Sequence, residues 1–272
     1  MKTGPGESTI TADVLRIDEA DPTATPFVVG IPIGMPTGFP EPTATPPATA
    51  TPPAARRHRA SRPAWSSELL RQVIRSGPSA RPQVALTIDD GWSARDAVLN
   101  VLQQKDVHPT LFLAGRPILG DKPFVARALN AGCEIANHTW DHYELTNKSA
   151  DYIQKDLRDF EELVQAQVPG ATTVPYMRPS GGSVNQGVID ASAAAGYRVI
   201  LWSGSAGDGS VATAPSDMVK NVLASARPGA IILMHFTDRG VIALPGIIDG
   251  MRAKGLEPVS LSKLFESDPP PS

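Results

Sequence analysis

Two of the chain's five histidines, His138 and His142, sit four residues apart in the stretch IANHTWDH, at the end of an apolar run. On a helix that spacing is one turn, so both imidazoles would point the same way and could share one metal ion. Two histidines and one carboxylate make a facial site that leaves positions open for water and substrate. The stretch TIDDG offers the carboxylates: Asp89 and Asp90 are adjacent, and on an extended strand end they point to opposite sides. One can bind the metal while the other faces the substrate. A metal there would polarise a carbonyl and acidify its bound water, and the free carboxylate could take the proton. His235, in LMH, could serve on the other side as general acid. Arg178, in RPSGG, has a fixed charge and a forked donor set suited to holding a carboxylate. Gly181 and Gly182 allow close backbone approach, so an N–H there could stabilise an oxyanion.

Each fragment alone has a plainer reading. Asp-Asp-Gly and Gly-Asp-Gly are good turns, an arginine can bridge surface carboxylates, and a histidine ending an apolar strand can be a core residue. What favours chemistry is where the fragments fall. Short apolar runs, QVALTI (83–88), TLFLA (110–114), EIANH (134–138), VPYMR (174–178), RVILWS (198–203), AIILMH (230–235) and EPVSL (257–261), alternate with helical patterns. The helical stretches include SARDAVLNVLQQK, KPFVARALNAG, SADYIQKDLRDFEELVQAQ, NQGVIDASAAAG and SDMVKNVLASA. Gly132, Gly196 and Gly229 each precede a strand, where a helix C-cap is expected. This alternation implies an α/β fold with a parallel sheet and helices outside. Seven units point to a distorted (β/α)7 barrel that closes imperfectly, with a doubly wound open sheet as the alternative. In a parallel barrel the chemistry sits at the carboxyl ends of strands, and the polar fragments lie at five such ends.

Net charge is −3, which excludes a basic field for nucleic acid. The single cysteine, Cys133, excludes an internal disulfide and reads as a small buried residue. No run approaches the ~18 apolar residues of a membrane span. The first residues, MKTGPGESTITADV, lack a signal-peptide core, so either the protein is not exported by that route or the chain begins after a removed signal. TATP recurs at Thr23, Thr43 and Thr49, and proline density predicts an extended linker or stalk within an N-terminal segment over 1–63. AWSSELLRQVIRS (64–76) reads as a short amphipathic helix capped by Ser66 or Ser67. The catalytic unit is expected over 64–268. Trp140 and Trp202 read as packing residues, and Asp141 and Glu144 as solvent-facing.

TIDDGW, NHTWDH, RPSGG, the aspartate after strand five and LMH together resemble, in order, the five motifs of NodB-type polysaccharide deacetylases, carbohydrate esterase family four. The resemblance spans roughly residues 83–262 and implies a distorted (β/α) barrel. It implies Asp89 as catalytic base, Asp90 with His138 and His142 as metal ligands, and Arg178 as the residue holding Asp89. It implies His235 as general acid oriented by Asp208, an oxyanion contact from the Gly181 N–H, and Leu233 lining the acetyl pocket. It also implies zinc, with cobalt or nickel as alternatives, and an acetylated polysaccharide as substrate, cleaved to release acetate. The chain departs from the family's usual RPPYG, with Ser180 and Gly181 in place of proline and tyrosine. Gly209 stands where the family usually has a tryptophan. With the linker, the resemblance points to an extracellular or cell-envelope enzyme acting as a monomer. An amidase or esterase on a small substrate, and a non-catalytic carbohydrate-binding protein of the same fold, are the competing readings.

Overall fold

The computed structural model describes residues 65–266. The linker expected over 1–63 lies outside the described residues. Eight strands form one sheet: β1 (Gln83–Asp90), β2 (Thr110–Leu113), β3 (Glu134–Asn137), β4 (Tyr176–Met177), β5 (Arg198–Val199), β6 (Gly204–Ser205), β7 (Ile231–His235) and β8 (Glu257–Val259). Their order is β5-β4-β3-β2-β1-β7-β6, with β8 also on β1, and every pairing is parallel. β2 pairs Thr87–Asp90 of β1 and β8 pairs Gln83–Ala85, so the two share one edge of the central strand. The helices between are α1 (Ser67–Leu70), α2 (Arg95–Lys105), α3 (Gly115–Leu119), α4 (Phe124–Asn130) and α5 (Ala150–Gln167). They continue as α6 (Gln186–Ala194), α7 (Pro215–Ser225), α8 (Asp238–Ala253) and α9 (Leu261–Phe265). Among the described residues no helix is long and apolar enough to cross a membrane.

The six central residues of β1 are buried, as expected of a strand covered on both faces. Val84, Leu86 and Ile88 pack outward with Leu111, Leu113, Ile232 and Met234 against the helices. The alternate residues face inward and change character along the strand. Ala85 joins Phe112, Ala136, Tyr176 and Ile231 in an inner cluster, capped by Leu261, Leu264 and Phe265 of α9 and by Trp65. Thr87 and Asp89 follow on the same strand face toward its carboxyl end. The inner floor is therefore apolar and the inner rim polar, so the site rests on a packed base. Phe112 forms part of that base, and truncating such a residue to alanine costs about 3–5 kcal/mol.

The barrel expectation holds, with two adjustments. The run 198–203 does not form one strand: Arg198–Val199 pairs with β4, Ile200 bridges to Ile74, and the next strand, Gly204–Ser205, pairs with β7. The helix expected over 64–76 stops after Leu70. Ser66 caps it, its Oγ accepting the Leu69 N–H at 3.3 Å. The Ile74 N–H then donates to the Val199 carbonyl at 2.9 Å, and the Leu201 N–H to the Ile74 carbonyl at 2.7 Å. The open side of β5 needs these backbone groups, and β-branched Val73 and Ile74 suit the extended form. The chain thus crosses the gap where the barrel does not close.

Candidate active site

The predicted site residues converge at the carboxyl ends of β1, β3, β4 and β7 and in the loop after β6. Oδ1 of Asp90 lies 3.2 Å from Nε2 of His138 and 3.0 Å from Nε2 of His142. The two Nε2 atoms are 3.2 Å apart. The histidines reach one another without a helix. β3 ends at Asn137, and Thr139 and His142 take left-handed backbone angles, φ 71° and 58°. The stretch after β3 is an irregular loop, and the spacing brings both rings to one point there. Asp89 and Asp90 do not diverge as strand alternation suggests. Asp90 has φ 85°, and both carboxylates approach His138, Asp89 Oδ2 at 3.8 Å.

The donor chemistry fits a divalent cation. Asp90 Oδ1 is buried and makes no hydrogen bond, although two imidazole nitrogens face it. The three ligand atoms lie within 4.8 Å of one another. His138 Nδ1 lies 2.8 Å from the Arg178 carbonyl, so it carries the proton and donates, leaving Nε2 free as a ligand. Burial pushes the Asp90 carboxyl up, but the two imidazoles outweigh it and hold the group far below the usual carboxylate range. Burial lowers the His138 pKa, yet Asp89, Asp90 and the Arg178 carbonyl raise it overall.

Arg178 is fully buried. Its Nη1 donates to Asp89 Oδ1 at 2.6 Å and to Thr87 Oγ1 at 2.9 Å. Nε and Nη2 donate to the carbonyls of Ile200 and Leu201, and the guanidinium lies 4.1 Å from the Phe112 ring centroid. Burial lowers the Arg178 pKa, and Asp89 opposes that. The reading of Arg178 as a surface bridge is excluded. Across the strand register, His235 stands opposite Asp89. Asp208 grips His235 twice: Oδ1 is 2.8 Å from Nδ1, and Oδ2 accepts the backbone N–H at 2.7 Å. Burial pulls the His235 pKa down, but the Asp208 hydrogen bond and the charges of Asp89, Asp208 and Asp90 carry it up to about 9. Leu233, 5% exposed, precedes His235 by two residues on the same strand face.

The two glycines that depart from the family pattern face open space. A Cβ on Gly181 would meet nothing within 4 Å, and one on Gly209 would meet only His235 Cε1, at 3.7 Å. Trp202 and Trp140 pack against the core, and Cys133 is buried, its thiol pushed up to about 12 by desolvation. Glu144 is exposed, as expected, but Asp141 is not simply solvent-facing. It accepts from Arg116 Nε at 2.6 Å and from the Tyr152 hydroxyl at 2.9 Å.

Three supporting residues escape sequence reasoning. Thr139 Oγ1 accepts the His142 N–H at 3.0 Å, and Asn137 Oδ1 accepts the Thr139 N–H at 2.9 Å. Asp156, on α5, accepts the N–H groups of Trp140 and Asp141 at 2.7 and 3.2 Å. A faint signal exists for Asp156, which falls in the buried stripe of Ile153, Leu157, Phe160 and Val164 where apolar residues are the rule.

A cation cluster with an arginine-held carboxylate and an aspartate-held histidine belongs to hydrolases that attack an acyl carbon with metal-assisted water. The comparisons with known proteins agree. A family described as polysaccharide deacetylase matches residues 76–200. The chitooligosaccharide deacetylase of Sinorhizobium fredii is 31% identical over 204 residues, covering 69% of this chain and 94% of that one. The peptidoglycan-N-acetylglucosamine deacetylase PgdA of Listeria monocytogenes is 31% identical over 67% of this chain, which spans only 39% of that longer protein. Among solved structures, BA3943, a CE4 family pseudoenzyme from Bacillus anthracis, gives a TM-score of 0.67 at 25% identity, covering 71% of this chain and 69% of that one. A mutant of that protein is described as having restored enzymatic activity. The chain belongs to the polysaccharide deacetylase family, carbohydrate esterase family four, as its five motifs suggest.

Proposed function

We propose that residues 64–268 form a deacetylase that hydrolyses N-acetyl groups on an amino-sugar polymer, peptidoglycan or chitin-like chains, in the extracellular space or cell envelope, as a monomer. The observation that carries this reading is the Asp90–His138–His142 cluster beside Asp89, which Arg178 holds, with His235, held by Asp208, opposite Asp89 in the strand register. Asp90, His138 and His142 would hold the divalent cation, with zinc the first choice and cobalt or nickel as alternatives. When bound, the cation supplies Lewis acidity toward the substrate carbonyl and lowers the pKa of water.

The chain's own residues do the rest. Asp89 keeps Oδ1 on Arg178 and has Oδ2 available to take a proton from the attacking water. The Gly181 N–H donates to the developing oxyanion, a role that needs a backbone group and not the tyrosine the family usually carries there. His235, protonated at neutral pH and oriented through Nδ1 by Asp208, donates from Nε2 to the leaving nitrogen. Leu233 contributes apolar surface for the acetyl methyl. The open space at Gly181 and Gly209 favours one second reading, an ester or amide substrate with a larger acyl group. A non-catalytic role has no physical need for a base, a cation cluster and an acid together.

The test is acetate release from N-acetylglucosamine oligomers, peptidoglycan and acetylated xylan, each with zinc and with chelator. Chelator-sensitive release from the amino-sugar substrates is the expected result. Release from none of them, with cation bound, would overturn it.

A further inference from the structure

The exposed apolar side chains are unevenly placed. Among the described residues, five large hydrophobic side chains are exposed: Trp92, Leu119, Tyr143, Val211 and Ile242. Two of them are aromatic, and both adjoin the cation cluster in the chain. Trp92 follows Asp90 by two residues, and Tyr143 directly follows His142; each is 52% exposed. Neighbouring Cα atoms are about 3.8 Å apart, so both backbones lie within about 7–8 Å of a cluster residue's Cα.

Both residues sit on held backbone. On the Trp92 loop, the Ala114 N–H donates to the Asp90 carbonyl at 3.0 Å, Arg95 Nη1 donates to the Gly91 carbonyl at 2.6 Å, and Ser93 Oγ donates to the Phe236 carbonyl at 2.9 Å. This turn is tied toward β2 on one side and the end of β7 on the other. The Tyr143 loop is fixed by Thr139 and Asp156, and Lys148 Nζ lies 5.4 Å from the Tyr143 ring centroid. Exposed aromatics on fixed backbone lose little entropy on binding, which is the property of a preorganised contact surface. Gly181 and Gly209 open onto free space and add no such ring.

We infer that Trp92 and Tyr143 are saccharide-binding platforms that seat the pyranose rings flanking the residue undergoing deacetylation. A pyranose chair presents an apolar C–H face beside its polar rim, and an exposed aromatic ring covers such a face while the hydroxyls stay hydrated. A polymer whose acetyl group lies at the cation cluster passes over the residues next to the ligands, and Trp92 and Tyr143 are exposed aromatic side chains next to them in the chain. The inference rests on the amino-sugar reading above and adds the residues that select a polymer over a small acyl compound.

The test compares Trp92→Ala, Trp92→Phe and Tyr143→Ala with wild type on two substrates: the N-acetylglucosamine tetramer and 4-nitrophenyl acetate, which has no sugar ring. Ile242→Ala, an exposed apolar change on α8, is the control. The platform account expects KM for the tetramer to rise about tenfold in each alanine variant, at least fivefold more than KM for the aryl ester. Trp92→Phe should restore most of the loss, and Ile242→Ala should change neither substrate. Equal losses on both substrates, or no rise for the tetramer, would overturn the inference. If wild type releases acetate from neither substrate, the deacetylase reading fails on its own. Calorimetric titration with the tetramer then decides: weaker binding in Trp92→Ala sustains the platform, and unchanged binding removes it.

Discussion

Arg178 touches both halves of the site at once: its guanidinium donates to Asp89 at 2.6 Å, and its own carbonyl accepts a hydrogen bond from His138 Nδ1 at 2.8 Å. One residue therefore fixes the base candidate and the tautomer of a ligand candidate. Arg178→Met leaves the Asp89 carboxylate buried and unpaired, which costs about 3–5 kcal/mol of stability. Chemical denaturation checks this. A stability loss below about 1 kcal/mol would contradict the pairing.

Asp208→Asn tests the acid. His235 is raised from 6.5 to about 9, so it stays protonated through neutral pH. Its pairing contributes stability that is full below pH 6.5 and is lost as pH rises through about 9. Activity that needs protonated His235 should fall over the same basic limb. Removing the Asp208 charge lowers that pKa, so the limb should move to lower pH in the variant. A bound cation draws the limb down in both proteins, so the informative quantity is the difference between them. An unmoved limb would show that another group sets it.

Asp156→Asn keeps the side-chain shape but replaces one of the two acceptors that hold the Trp140 and Asp141 N–H groups. Zinc affinity should fall roughly 10–100-fold, as is usual when a partner behind a metal ligand is lost. Competition with a chelating dye reads this directly, without reference to turnover. Affinity unchanged within a factor of two would mean the loop holds its shape without Asp156.

Gly209→Trp tests the open side of the site. Its Cβ would meet only His235 Cε1, at the ordinary contact distance of 3.7 Å, so a side chain can begin there without strain at Cβ. The variant should favour acetyl over butyryl esters more strongly than wild type. Equal preference in the two proteins would show that Gly209 does not border the acyl group.

The chemistry of this chain was legible because it is concentrated at strand ends. Asp89, Asp90, His138, Arg178 and His235 each end or directly follow a parallel strand, where periodicity predicts a shared face. The supporting contacts were not legible for a physical reason. Thr139 and Asp156 act on backbone N–H groups, which carry no residue identity, and Asp156 comes from a helix 14 residues beyond His142 in the chain. α8 hides its helical character behind Pro245 and several glycines, which have packing reasons. A Cβ on Gly250 would come within 2.6 Å of Leu223 Cδ1 of α7, so the two helices approach closely there. β6 is two residues, Gly204–Ser205, with no strand propensity, and is held by the register of β7. The four-residue spacing of His138 and His142 converges through left-handed angles at Thr139 and His142 in the loop after β3, without a helical turn.

The central claim is a division of labour between Asp89 and the cluster of Asp90, His138 and His142. The direct measurement is zinc content and acetate release, taken together, for Asp89→Asn and His138→Ala. The account predicts that turnover collapses in both, while zinc is retained in Asp89→Asn and lost in His138→Ala. Full hydrolysis in both variants, or equal loss of zinc from both, would contradict it.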